Sequence, residues 1–289
     1  MIALRALSVI LGLIAGRAAA QDAVSIVAAE NFYGDVAQQI AGSAATVTSI
    51  LSNPDQDPHL FEASPAVPRL LSAADIVVYN GAGYDPWMPR LLAAAKSAKR
   101  QVIVVAELVH RHAKDNPHIW YDPPTVPAYA AALTAALAAR APVHRDDLER
   151  NLDAFLVSLR PLEAKIGEMR HDHAGIAVTA TEPVFGYMAA ALGFEMRNER
   201  FQLAVMNNAE PRASDVAAFE NDLRRRAVRL LLYNRQATDP MARRLMAIAE
   251  TAGVPAVGVT ETEPAGRHYQ GWMMDELDAI DHALAGAPP

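Results

Sequence analysis

The chain contains no cysteine in its 289 residues. That excludes disulfides, thiolate metal ligands and a lipid-modified cysteine behind a leader. Any metal site must therefore use His, Asp, Glu or backbone oxygens. Long apolar runs are also missing. The stretch Leu7 to Ile14 is short and flanked by Gly16 and Arg17, and no segment approaches the ~20 apolar residues of a spanning helix. No membrane insertion is expected. Positive charge is scarce: 26 Lys and Arg face 33 Asp and Glu, for a net charge of −7. Such a balance argues against nucleic acid and anionic lipid as partners and is compatible with a cationic ligand. No His-Glu-x-x-His occurs, which removes the commonest helix-borne signature of a metallohydrolase.

Residues 1–20 have a weakly basic start at Arg5, the apolar run, and Ala18-Ala19-Ala20 ahead of Gln21, the pattern of a cleaved secretory signal peptide. Loss of that segment removes two arginines and no acid, taking the charge from −7 to −9. The expectation is a freely diffusing monomer in a Gram-negative periplasm.

The chain as a whole is 52% hydrophobic, and the part beyond the leader is long enough for two ordinary domains. Strand-like runs at Val24 to Ala29, Ala45 to Leu51, Ile76 to Tyr79 and Val102 to Val105 alternate with amphipathic helices around Gly34 to Ile40, Ser64 to Ala73 and Trp87 to Ser97. That alternation predicts a parallel sheet covered on both faces. It stops at Arg145, where Leu148, Leu152, Phe155, Leu156, Leu159 and Leu162 mark one long amphipathic helix with a kink or break expected at Pro161. Strands resume over Gly175 to Ala180, Val228 to Tyr233 and Pro255 to Val259. The reading is α/β: an N-terminal lobe over 21–144, a linker helix over 145–170 and a similar C-terminal lobe over 171–289.

Two histidines are each held by a preceding proline on a loop downstream of a strand, in Asp57-Pro58-His59 and Asn116-Pro117-His118. Ligands of open α/β sheets bind at such loops, beyond the carboxyl ends of strands. Two stiffly held imidazoles in a chain with nine histidines point to a shared metal ion. Bland readings are assigned to three other features. Glu30 is taken as a solvated helix-capping acid, His171-Asp172-His173 as surface at a helix end, and Trp87, Trp120 and Trp272 as packing.

Over its mature length the chain resembles the metal-binding solute-binding proteins of zinc and manganese ABC importers, the zinc-uptake complex component A family. The resemblance rests on the order and spacing of Asn31-Phe32-Tyr33-Gly34-Asp35, Asp57-Pro58-His59-Leu60-Phe61-Glu62, Tyr79-Asn80-Gly81-Ala82-Gly83, Asn116-Pro117-His118-Ile119-Trp120, Phe185-Gly186-Tyr187 and Gly253-Val254-Pro255. It implies two α/β lobes joined by a long helix, with one buried Zn²⁺ or Mn²⁺ between them for delivery to a cognate membrane permease, and no enzymatic activity. Carried over by position, the ligands fall on His59, His118, Glu182 and Glu263. The family's usual Asp is absent from Thr260-Glu261-Thr262-Glu263-Pro264, and Glu261 is the second choice. Two carboxylates shift preference toward harder ions and leave room for bidentate coordination, while zinc also accepts such oxygens. The histidine-rich loop of many zinc-type members is missing. A metal-dependent hydrolase and a surface adhesion protein are the alternatives.

Overall fold

The computed structural model describes residues 23–56, 58, 61–237 and 239–286. His59 and the segment read as a signal peptide lie outside the described residues.

The first half follows the alternation that its apolar runs predict: β1 (Val24–Glu30), α1 (Asn31–Ala41), β2 (Ala45–Leu51), α2 (Ala66–Ala73), β3 (Ile76–Tyr79), α3 (Trp87–Ala94), β4 (Gln101–Val104) and α4 (Val105–Leu108). α5 (Thr125–Arg140) covers the sheet, and α6 (Arg145–Ser158) and α7 (Arg160–His173) lead to the second half. There β5 (Ala177–Ala180), α8 (Gly186–Ala191), β6 (Glu195–Arg197), α9 (Glu199–Met206), α10 (Ala213–Arg224), β7 (Leu230–Asn234), α11 (Pro240–Ala252) and β8 (Ala256–Val259) precede the last helix, α12 (Tyr269–Gly286).

The two sheets have one topology. Strand order is β2-β1-β3-β4 in the first and β6-β5-β7-β8 in the second, and every pairing is parallel. Alternation along each strand sorts side chains into layers. Val27, Ala29 and Val77 face α2 and α3 through Val67, Leu71 and Met88. Leu231 faces α10 and α11 through Phe219, Leu223 and Leu245. The opposite faces, carrying Ile26, Ala28, Ile76, Val78, Leu230 and Leu232, belong to a single apolar core that also takes in residues of α1, α5, α6, α7 and α12. The lobes therefore share one core. Truncation of a large residue there costs on the order of 2–5 kcal/mol.

The linker is two helices separated at Leu159, with Pro161 in the first turn of α7. Proline has no N–H to give to a carbonyl four residues back, and its ring crowds that carbonyl. The break therefore falls just upstream of the proline, whose geometry suits a first helical turn. α7 is fastened to α12 by Lys165, whose ammonium lies 2.6 Å from Asp281 and 3.2 Å from Asp278. His173 also pairs with Asp281, at 2.9 Å, while His171 and Asp172 are exposed.

Candidate metal centre

His118 sits just after β4 and α4, at the start of a single 3-10 turn (Ile119–Tyr121), and is 1% exposed. Asn116 sets its chemistry. The Asn116 Nδ2 donates to the carbonyl of Pro183 at 2.6 Å, so its Oδ1 end faces His118, where it lies 2.6 Å from Nδ1 and accepts the backbone N–H at 3.1 Å. An amide oxygen only accepts, so Nδ1 carries the proton and Nε2 carries the lone pair. Nε2 is buried and makes no hydrogen bond, and it points at Glu261 Oε2, 3.4 Å away. A lone pair and a carboxylate oxygen held face to face in the interior repel each other unless a cation or a proton lies between them.

The acids come from the other sheet. Glu182 ends the extended segment after β5, and its side chain caps no backbone N–H of the turn that follows. Its Oε2 instead accepts from Asn234 Nδ2 at 2.8 Å, and the same amide nitrogen donates to Glu261 Oε1 at 2.5 Å. Glu261 is fully buried after β8, with its backbone N–H donating to Gln236 Oε1 at 2.6 Å. Among the described residues no three His, Asp or Glu side chains converge closely enough to hold an ion among themselves. The arrangement is a facing pair, His118 and Glu261, with Glu182 joined to it through the Asn234 amide.

Glu263, the expected fourth ligand, is buried beside the start of α1. Asn31 at the start of α1 clasps its backbone, accepting from the Glu263 N–H at 3.1 Å and donating to its carbonyl at 2.7 Å. Burial, with the nearby charge of Asp35 adding to it, raises this carboxyl to about 9. At neutral pH it is protonated. The clasp draws residue 263 against α1 and leaves the residue two positions earlier facing His118.

Glu30, read from sequence as solvated, is fully buried and caps nothing in α1. Burial, then the charge of Asp85, holds its carboxyl well above the usual range, while burial raises Asp85 to about 6. The two acids are near Tyr84, whose ring packs edge-on against both His118 and Trp120. Trp120 and Trp272 are packing residues, as expected, each in contact with Phe32.

Several of the motifs that carry the family resemblance meet around His118 at the junction of the lobes. Tyr33 donates to Asn80 Oδ1 at 2.7 Å, and Asn80 Nδ2 donates to the carbonyl of Pro117 at 2.9 Å, bracing the His118 turn from behind. Phe185 packs on Tyr121, and Tyr187 donates to the Asn116 carbonyl at 2.9 Å. A Cβ on Gly186 would lie 2.9 Å from Asn116 Nδ2, so the small residue keeps that amide in place. Gln236 donates to the carbonyl of Pro54 at 2.6 Å and to Thr262 Oγ1, tying the start of the His59 loop to the Glu261 segment. A cavity of ≈ 940 Å³ bordered by Met206, Glu210 and Asp239 descends to His118 and Glu182.

Sequence reasoning did not single out Asn234, Gln236 or Asn31 as site residues. The available signal was polar residues at the carboxyl ends of apolar strands, where sheet ligands bind.

A family model described as "Zinc-uptake complex component A periplasmic" matches residues 26–283. The chain belongs to that family. Among its relatives is the iron-binding protein YfeA of Yersinia pestis, 27% identical over 169 residues, 56% of this chain and 54% of YfeA. The metal ABC transporter substrate-binding lipoprotein SloC of Streptococcus mutans is 23% identical over 299 residues, 96% of this chain and 95% of SloC. The chain spans between 54% and 62% of the length of YfeA and the streptococcal ScbA and MtsA. The periplasmic zinc-binding protein TroA of Treponema pallidum has the same fold, with a TM-score of 0.76 at 21% identity over 91% of this chain and 99% of TroA. No described helix of this family member is long and apolar enough to cross a membrane.

Proposed function

We propose that this chain is the extracytoplasmic substrate-binding component of an ABC importer, a monomer that captures one divalent transition-metal ion and hands it to a cognate permease. The observation that carries this reading is the His118 Nε2 lone pair facing Glu261 Oε2 at 3.4 Å in a buried site. An imidazole nitrogen whose other nitrogen donates to an amide oxygen, opposed by a carboxylate, is the donor chemistry of a transition-metal ligand. The ligand set we assign is His118, Glu182 and Glu261, with His59 added by its place in the family motif. Glu261 replaces Glu263 because Glu261 faces the imidazole and Glu263 is tied to α1. Two imidazoles and two carboxylates balance a divalent charge and suit Zn²⁺ or Mn²⁺.

The names of the relatives support transport of a metal but differ over which one: iron for YfeA, zinc for TroA. The role is binding rather than catalysis, and it requires export, for which residues 1–20 supply the leader.

The test is to offer purified metal-free protein an equimolar mixture of manganese, zinc, iron and nickel and to analyse what it retains. One ion per chain, lost in His118→Ala, is the expected result. No retained metal would overturn the reading.

A further inference from the structure

The Asn234 side chain has two N–H hydrogens, and the structure directs them to two different carboxylates, Glu182 Oε2 at 2.8 Å and Glu261 Oε1 at 2.5 Å. Its orientation is fixed. Asn234 Oδ1 accepts the backbone N–H of Gln236 at 2.9 Å, so the NH₂ end must face the acids. The residue is 2% exposed and ends β7, whose pairing with β5 on one side and β8 on the other holds it between the two acid-bearing segments. Thus one oxygen of each carboxylate is engaged by the same rigid amide, while the second oxygen of Glu261 is the one turned toward His118.

We propose that Asn234 is a specificity-determining residue of this site, holding both carboxylates to one metal-binding oxygen each and so selecting Zn²⁺ over Mn²⁺. This deepens the proposed function and rests on the assignment of His118, Glu182 and Glu261 as ligands. An amide donor competes with a metal for the carboxylate oxygen it engages and so favours coordination through the other oxygen. Were both acids to chelate, the donor number would rise by two. Zinc takes four tetrahedral donors of nitrogen and oxygen without penalty, whereas manganese favours octahedral, oxygen-rich surroundings. Two carboxylates by themselves lean toward the harder ion. The amide between them reverses that preference by removing the oxygens that six-coordination needs. Partners of this kind orient the ligands as well, and their loss typically lowers metal affinity ~10–100-fold.

The experiment compares full-length mature protein with Asn234→Ala and Asn234→Ser, using Co²⁺ as a spectroscopic probe and Zn²⁺ against Mn²⁺ in competition. In wild type, intense tetrahedral d–d bands and preference for zinc are expected. In Asn234→Ala those bands should weaken to the pattern of a five- or six-coordinate ion, and the zinc-over-manganese ratio should fall ~10–100-fold. Asn234→Ser, with a single donor, should fall between them, and it keeps the test alive if the alanine variant does not fold. Unchanged bands and an unchanged ratio in both variants would overturn the role of Asn234. A wild-type protein that binds one Co²⁺ with weak octahedral bands, or prefers manganese, would overturn it too while leaving metal capture intact. A wild-type protein that binds none of the three ions would instead overturn the metal-binding assignment itself.

Discussion

The two lobes present the same residue types at the same places in the same sheet and use them differently. In the first sheet Ala28 pairs with Val78, and in the second Ala180 pairs with Leu232. Two residues beyond each pair stand a glutamate and an asparagine: Glu30 with Asn80, and Glu182 with Asn234. In the N-terminal lobe Tyr33, Tyr84, Asp85 and Tyr129 surround the acid, which is buried with its carboxyl held well above the usual range, and the asparagine braces the turn before His118. In the C-terminal lobe the acid reaches the interlobe cavity, and the asparagine holds it beside Glu261. Strand-end position thus supplies a carboxylate and an amide in both lobes, and what packs in front decides the role. Aromatic cover makes one pair structural. The acid of the other pair borders the cavity that reaches His118.

That contrast can be broken at several points. The largest effect is expected from Glu182→Gln and Glu261→Gln, each of which should lower metal affinity by more than the ~10–100-fold that an orienting partner is worth. Glu30→Gln should leave affinity unchanged, and chelator competition on the three variants would dissolve the contrast if positions 30 and 182 behaved alike. Next is Asn80→Ala, which strands the Tyr33 hydroxyl and the Pro117 carbonyl in the interior. Urea unfolding of the metal-free protein should show a loss of about 1–3 kcal/mol, the usual cost of buried groups left unpaired.

A smaller effect concerns pH. Glu30 is raised well above 4.5 and Asp85 to about 6 in the folded state, so folding takes up protons there. The resulting stability is complete below the unfolded carboxyl pKa and is lost as pH rises through the folded values. Between pH 5 and pH 8 the Tm of metal-free wild type should therefore fall more than that of Glu30→Gln, by roughly 2–4 °C for each kcal/mol removed. An equal slope in both proteins would assign the pH dependence to other groups. The smallest effect is expected at Glu263, which is neutral and clasped to α1. Glu263→Gln should bind metal as wild type does in the same chelator competition, and a large loss would return it to the ligand set.

Much of the fold was legible because its signals are local. Ile76–Tyr79 and the alternation around it read directly as a parallel sheet, and Leu148, Phe155 and Leu162 marked the linker by period alone. The edge strand Glu195–Arg197 escaped notice because three residues with two charges carry no apolar pattern. At the site, His118 stood out through its preceding proline and its place after a strand, while Glu182 was named only through the family resemblance. The proposed choice of Glu261 over Glu263 was beyond sequence reasoning. It depends on a hydrogen-bonded clasp to Asn31, 232 positions away, and no local propensity encodes it. Glu30 misled for the same reason, since an acid after a strand reads as solvated until the tyrosines that cover it are placed around it.

The apolar core that runs unbroken from the first sheet through α5, α6, α7 and α12 to the second makes the molecule one cooperative unit. An ion bound at the lobe junction then stabilises the whole of it, by RT ln(1 + [L]/Kd), or about 2.7 kcal/mol at a hundredfold excess over Kd. A single melting transition should move upward with free metal concentration, without a separate step for either lobe. Heat thus converts occupancy of one buried site into a property of the entire chain.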